Sequence, residues 1–349
     1  MITGALERVL ADHFGSPIAL RAEPSPISGG FWASIYGFEI AGGESGGSSI
    51  PHEWLGRLVM RVMPNRERAV HEIIVQRAVA DTGFPTPPVL HDGYDDALGG
   101  AFMIMPYATG KPPMAGLGPG SLLSVPRLLR RLPVQLAEVA VQLHAVDPEP
   151  IRLALEQGGL GGRVDGAQSR LEAVRFAAEI DSGGFDQLLT WFEQRRPHDP
   201  PLVLCHGDLH PFNLLIDDDG RTTVLDWTNA ELMPREFEIG FTAGLVRCAP
   251  IKVPRVVRPL VRRLTAWMAQ RFIETYERTT TIDAERVAWY EALQHSRCLA
   301  EVVTARIGLS NVVDANHPFE TSAAAMTVRL AELTGVTISL PTRQPAPAS

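Results

Sequence analysis

The chain has 349 residues, enough for two domains of ordinary size. Hydrophobic residues make up 45 % and charged residues 21 %, which excludes a disordered, collagenous or disulfide-built chain. Its 32 basic and 40 acidic residues leave a net charge of −8, which argues against nucleic acid as a partner, and only Lys111 and Lys252 among the basic residues are lysines.

At the N-terminus Leu6, Val9, Leu10 and Phe14 recur at helical spacing. They predict an amphipathic helix over 1–15 and no secretory leader. No run of about 18 uncharged apolar residues occurs, so no membrane-spanning helix and no membrane partner are expected. Residues 18–105 read as β-rich. Strands are predicted over 31–40 and 58–63, joined by a glycine-rich loop at 42–47, and a helix over 67–80 ends at Gly83, Pro85 and Pro87. A further buried strand is predicted over 101–105. The Pro/Gly-dense stretch 110–120, with Lys111 as a solvated linker residue, reads as a connection between two bodies.

Beyond it the pattern turns helical, with helices predicted over 125–146 (broken at Pro133), 166–195, 254–278 and 284–309. Trp267, Trp289, Tyr290, His295 and Arg297 either line a pocket there or fill helix core. A β island interrupts the helices at 202–205, 213–216 and 222–225, with the turn Asp217-Asp218-Asp219-Gly220 marking a hairpin. Residues 341–349 read as a frayed tail. Cys205, Cys248 and Cys298 form no CxxC pair, so zinc-ribbon and redox motifs are excluded and free buried thiols in a reducing cytoplasm are expected.

The chemistry is concentrated between 202 and 240. The segment reads Cys205-His206-Gly207-Asp208-Leu209-His210-Pro211-Phe212-Asn213, then the hairpin, then Leu225-Asp226-Trp227. Two carboxylates and an amide on neighbouring loops suit oxygen coordination of magnesium, with one carboxylate left to orient a hydroxyl. His206 reads as a buried residue holding this loop, and His210 as one that could face a substrate.

This segment resembles the HGDLHPxN and Leu-Asp-Trp motifs of the aminoglycoside phosphotransferases and related small-molecule kinases. Weaker matches follow in the family's order: Ser28-Gly29-Gly30, Leu58-Val59-Met60-Arg61-Val62, Glu72 thirteen residues before Pro85, 102–110 and Leu143-His144-Ala145-Val146-Asp147. The resemblance implies an α+β, bilobal protein-kinase-like fold, with a small antiparallel-sheet N-lobe carrying one main helix and a larger, mostly helical C-lobe. It implies a nucleotide-binding lobe over 1–105, a catalytic and substrate-binding lobe over 106–340, and a hinge at about 103–110.

By position, Asp208 would be the catalytic base, and Asn213 and Asp226 the magnesium ligands. The main chain at Gly29 and Gly30 would cover the phosphates of ATP or GTP. Arg61, where the family often has lysine, would contact those phosphates and pair with Glu72. The main chain of Met103, Met105 and Tyr107 would bind adenine, with the N–H donor from Met105 or Tyr107 because Pro106 has none. Glu238 stands where an aspartate usually follows the Asp-Trp segment. The implied activity is magnesium-dependent phosphoryl transfer to a hydroxyl of a small molecule in the cytoplasm; the alternative is a catalytically weak nucleotide-binding module of regulatory role. Residues 106–349 hold 28 acids and 25 bases, which disfavours a polycationic acceptor. The oligomeric state is left open.

Overall fold

The structure is a computed structural model and describes residues 2–27, 33–41, 50–115, 125–161, 166–181, 183–198, 201–310 and 312–343. Its contacts divide it into two units. The first comprises Met1–Ala115, Val146–Gly162 and Phe212–Ala230; the second comprises Gly116–Ala145, Arg163–Pro211 and Glu231–Ser349. Two segments beyond residue 106 therefore group with the N-terminal strands.

Alternation along extended chain explains how the first unit is layered. Strands β1 (Ser25–Pro26), β2 (Ser34–Glu39), β3 (Arg57–Met63), β4 (His91–Asp95) and β5 (Gly100–Pro106) form an antiparallel sheet in the order β1-β2-β3-β5-β4. Leu58, Met60 and Val62 of β3 and Phe102 and Ile104 of β5 share a core with Leu6 and Leu10 of helix α1 (Ile2–Phe14). The intervening residues Met63, Ala101, Met103 and Met105 pack with Ala69 and Ile73 of helix α2 (Arg66–Asp81). A strand covered on both faces reads as an unbroken apolar run, which is why 101–105 is visible in the sequence. The same period of two places Arg61 with Met63, on the side of the sheet that faces α2.

The second unit is built from helices α3 (Val125–His144), α5 (Gly166–Ile180), α6 (Phe185–Gln194), α7 (Arg235–Arg247), α8 (Arg258–Glu277), α9 (Ala284–Arg306) and α10 (Pro318–Thr334). A two-stranded ladder of β6 (Leu202–Cys205) and β9 (Glu231–Pro234) lies among them. Helix α4 (Pro148–Gln157) belongs to the first unit and contacts α2.

Several elements depart from the sequence reading. Helix α3 runs through Pro133 without a break. The stretch 166–195 is two helices, because Gly184 takes φ +101° and its site leaves no room for a Cβ, which would meet Thr337 O at 2.5 Å. Helix α4 begins at Pro148 under an Asp147 cap; a proline at the first helical position starts a helix rather than ending one. Helix α7 is buried from Glu236 to Gly244, so it shows no polar stripe for a periodicity search to find. All three cysteines are free and buried.

Burial also explains a charged cluster between α7, α9 and α10. Glu291 accepts from Arg329 Nε at 2.7 Å and Nη2 at 2.9 Å and from Arg247 Nε at 3.2 Å, and it faces His295 Nε2 at 3.7 Å. Burial alone would strip the His295 proton, but Cys248 and Glu291 outweigh it and bring its pKa up to about 9. A folded-state pKa above the unfolded value near 6.5 stabilises the fold at lower pH and is lost as pH rises through about 9. Melting curves of wild type and His295→Gln between pH 6 and 10 are expected to converge at the alkaline end. The gap at neutral pH should be about 3 kcal/mol; a gap independent of pH would show that His295 is neutral.

Candidate active site

The strand that carries Arg61 and the helix that carries Glu72 bring the two together, as the resemblance implies. Arg61 is 8 % exposed, and its Nη2 lies 3.3 Å from Glu72 Oε1 and 3.2 Å from Asp226 Oδ1. Thr228, a residue the sequence reading overlooked, joins them. Its Oγ1 lies 3.3 Å from Arg61 Nη2, 2.8 Å from Glu72 Oε2 and 2.7 Å from Asp226 Oδ1. One hydroxyl hydrogen serves only one of these carboxylates at a time. Burial pushes the Glu72 pKa up to about 7, against the pull of Arg61. Burial also opposes the Arg61 charge, but Glu72 and Asp226 outweigh it and keep the guanidinium charged.

Asp226 reaches this cluster on a hairpin of β7 (Leu214–Ile216) and β8 (Thr222–Val224). Its φ of +68° makes it the sole described residue other than glycine in the left-handed region, a conformation that costs energy and recurs at functional positions. The segment 83–87, which the sequence offers only as a spacing marker, pins the hairpin. Val224 N–H donates to Pro85 O at 2.8 Å, Thr86 Oγ1 donates to Val224 O at 2.9 Å, and Trp227 Nε1 donates to Thr86 Oγ1 at 2.9 Å. Leu225 N–H donates to Asn213 O at 2.9 Å, which sets Asn213 beside the chain entering Asp226. The hairpin's other edge is held by Lys111, whose main chain exchanges two hydrogen bonds with Ile216 while its side chain is exposed.

At the end of β5 the hydrogen bonds redirect the expected adenine contact. Tyr107 N–H donates to Arg57 O at 2.9 Å, so it is spent within the sheet. Residues 57 and 107 are thus a hydrogen-bonded pair, and by alternation so are Val59 with Met105 and Arg61 with Met103. The main-chain groups of Met103, Met105 and Tyr107 face β3. Pro106, between two such positions, turns its carbonyl the other way. The clue was Pro106: a residue without N–H belongs at a position outside the β3–β5 bonds. Gly29 and Gly30 lie outside the described residues.

In the second unit, strand β6 delivers the loop that carries Asp208. Gly207 takes φ +72°, a turn that suits glycine. Main-chain N–H groups of His206 and Gly207 both donate to Glu238 of α7, the second at 3.2 Å, and Thr242 Oγ1 one turn on donates to Leu209 O at 3.2 Å. Burial raises the fully enclosed Glu238 carboxyl to about 7 despite these donors. Beneath the loop Cys205, His144 and Tyr276 form a buried row, with His144 Nδ1 2.7 Å from Tyr276 Oη and Nε2 3.9 Å from Cys205 Sγ. Burial lowers the His144 pKa to about 3, so this imidazole is neutral. His206 is buried, as its sequence context suggests. Asp208 and His210 are partly exposed, with carboxylate and imidazole 3.6 Å apart. Of the other predicted residues, Trp289, Tyr290 and His295 are core, Trp267 is exposed, and Arg297 is partly exposed.

This geometry meets an independent comparison. The model of the family described as "Phosphotransferase enzyme family" matches residues 45–295. The chain belongs to that family. The aminoglycoside 3'-phosphotransferase of Streptomyces fradiae is 28 % identical over 166 residues, which cover 45 % of this chain and 56 % of that relative. The matched stretch thus spans little more than half the length of that curated relative. Among solved structures, an aminoglycoside phosphotransferase-like protein of Ralstonia eutropha JMP134 aligns over 95 % of this chain and 98 % of its own, with TM-score 0.60 and 20 % identity. A thermostable mutant of aminoglycoside phosphotransferase APH(4)-Ia, in complex with ADP and hygromycin B, aligns over 95 % and 98 %, with TM-score 0.58 and 18 % identity. Both likenesses carry the α+β, kinase-like fold expected from the sequence.

Proposed function

We propose that this chain is an ATP- or GTP-dependent O-phosphotransferase that phosphorylates a hydroxyl of a small molecule. The observation that carries the reading is the Arg61–Glu72–Asp226–Thr228 cluster, with Asn213 beside the strand that leads into it. A carboxylate and an amide oxygen are hard donors that fit magnesium, and their backbones are joined by the Leu225–Asn213 hydrogen bond. Arg61 Nε is buried and has no partner among the described residues, a donor that fits a phosphate oxygen. Magnesium, when bound by Asn213 and Asp226, supplies charge neutralisation at the phosphate oxygens.

The chain's own residues do the rest. Arg61 holds phosphate oxygens through a fork that is charged at every working pH. The main chain at the end of β5 takes the adenine edge, with the Pro106 carbonyl as an acceptor, since Tyr107 N–H is spent on Arg57 O. The loop that Glu238 anchors presents Asp208 to the acceptor hydroxyl. The acceptor oxygen forms the new bond to the γ-phosphorus, the bond to the β–γ bridging oxygen breaks, and the nucleoside diphosphate leaves with that electron pair. The hydroxyl proton passes to Asp208 and then to solvent; with a loose transition state, orientation counts for more than early proton removal. The ADP-bound relative supports nucleotide use. We place the nucleotide-binding lobe over 1–105 with the hinge at 103–110, and take the cytoplasm as the site of action.

The test is a melting experiment with ATP and magnesium. Ligand at about 100 times its dissociation constant stabilises by about 2.7 kcal/mol, so a clear rise in melting temperature is expected, and chelation of magnesium should remove most of it. No shift with ATP or GTP, together with no nucleotide consumption in the presence of any hydroxylated acceptor, would overturn the reading.

A further inference from the structure

Charge is unevenly placed along this chain. From Ile239 to Ile273 there is no aspartate or glutamate, in a chain of net charge −8. Arg247, in the first part of this stretch, is ion-paired to Glu291. Six further cations follow it: Lys252, Arg255, Arg258, Arg262, Arg263 and Arg271. Among the described residues none of these six has a carboxylate partner. Lys252 Nζ reaches Asn316 Oδ1 at 3.5 Å, and Arg258 Nε reaches Val253 O at 3.4 Å.

Helix α8 carries most of this charge, and its two faces differ. Thr265, Met268, Ala269, Phe272 and Tyr276 are buried at the spacing of one helical face, where α8 packs on α3 and α7. By the same spacing Leu260, Arg263 and Trp267 turn away from that face, with Leu260 69 % and Trp267 45 % exposed. Ahead of Thr265 the packing gives out. Every residue from Pro254 to Leu260 is exposed, Val256 at 85 %, and so is Ile251. Acids and a capping side chain stabilise the start of a helix. Here the first turn has neither, and Arg258, Arg262 and Arg263 crowd the first two turns. That charge works against the isolated helix and suits an anionic surface laid along it.

We propose that residues 251–267 are a docking surface for a membrane, one that lies on anionic lipid headgroups. The proposal is independent of the phosphotransferase reading. Cations alone would suit any polyanion. The exposed aliphatic side chains and Trp267 set between them single out a lipid surface, where Val256 and Leu260 enter the acyl boundary and the guanidinium groups pair with phosphates. A tryptophan ring sits well at that depth, with its N–H left among the headgroups. From Val256 to Trp267 the stretch is about 16 Å long by helical rise, enough to lie on a bilayer and too short to span one. No described helix is long and apolar enough to cross a membrane. The sequence expectation of no membrane partner follows from that missing span, and a helix lying in the interface needs none.

The experiment is co-sedimentation of the full chain with vesicles of phosphatidylcholine alone or mixed with phosphatidylglycerol, at low and high salt. Binding is expected to the mixed vesicles only, and high salt should weaken it. Removing three cations together, as Arg258→Gln, Arg262→Gln and Arg263→Gln, should weaken partitioning about 100-fold, at about fivefold for each. Val256→Ser with Leu260→Ser keeps every charge and should weaken it about 10-fold. Brominated lipid should quench part of the tryptophan emission of bound protein, and Trp267→Phe should abolish that quenching. All these side chains lie outside the core, so melting temperatures should match wild type. No binding to the mixed vesicles at low salt, or full binding by the triple variant, would overturn the proposal. So would bound protein whose quenching survives Trp267→Phe, since another surface would then face the lipid. Binding to polyglutamate or DNA with vesicles left unbound would assign the patch to a different polyanion and overturn it as well.

Discussion

Asp208→Asn is expected to lower kcat about 10²- to 10⁴-fold, the range found when a general base is removed. Melting temperature and magnesium–nucleotide binding should stay as in wild type. The substitution keeps shape and removes charge, and the Asp208 side chain is 30 % exposed rather than part of the core. Single-turnover measurements with nucleotide prebound separate the chemical step from binding. An unchanged kcat would mean that another group positions the acceptor hydroxyl.

Glu238→Ala should cost about 3–5 kcal/mol of stability and most of the activity. The carboxylate is the acceptor for two buried main-chain N–H groups, at His206 and Gly207. Each buried donor left without a partner costs about 1–3 kcal/mol, and the space vacated by the side chain adds to that. Glu238→Gln keeps the volume and one acceptor oxygen, so it should recover most of the loss. The pH dependence carries its own sign. The folded-state pKa of Glu238 is raised to about 7, above the unfolded value of 4.5, so the folded protein holds a proton the unfolded chain has released. Wild type should therefore lose stability relative to Glu238→Gln as pH rises from about 4.5 to 7. Chemical denaturation of both proteins across that range checks it; parallel curves would show that Glu238 is ionised throughout.

How far the sequence foretells this molecule depends on what each residue's environment does to its pattern. Strand β5 is legible because both faces are covered, whereas the Arg61–Glu72 pair is legible only through the motifs around it, since Glu72 by itself reads as an exposed helix acid. Helix α7 is not, since burial all round erases the polar stripe, and with it goes the connection between Glu238 and the Asp208 loop. Strand β9 is four residues long and is recognisable only through its partner β6. Thr228 carries no charge and no motif, so only coordinates reveal it between two carboxylates. That Tyr107 N–H is spent on Arg57 O is hidden for a subtler reason: which way a main-chain N–H points depends on strand register, and register is set by the partner strand rather than by the residues themselves.

The arginine on β3 has a consequence for how such a protein is detected. Reagents that deliver an acyl group from a nucleotide phosphate mark kinases by acylating the amine beside it. A guanidinium that stays protonated offers no such nucleophile. With Arg61 ion-paired to Glu72 and Asp226, and the chain's two lysines at 111 and 252, the position proposed to contact phosphate has nothing to acylate. This chain should remain unlabelled by amine-directed nucleotide reagents while binding the nucleotide itself.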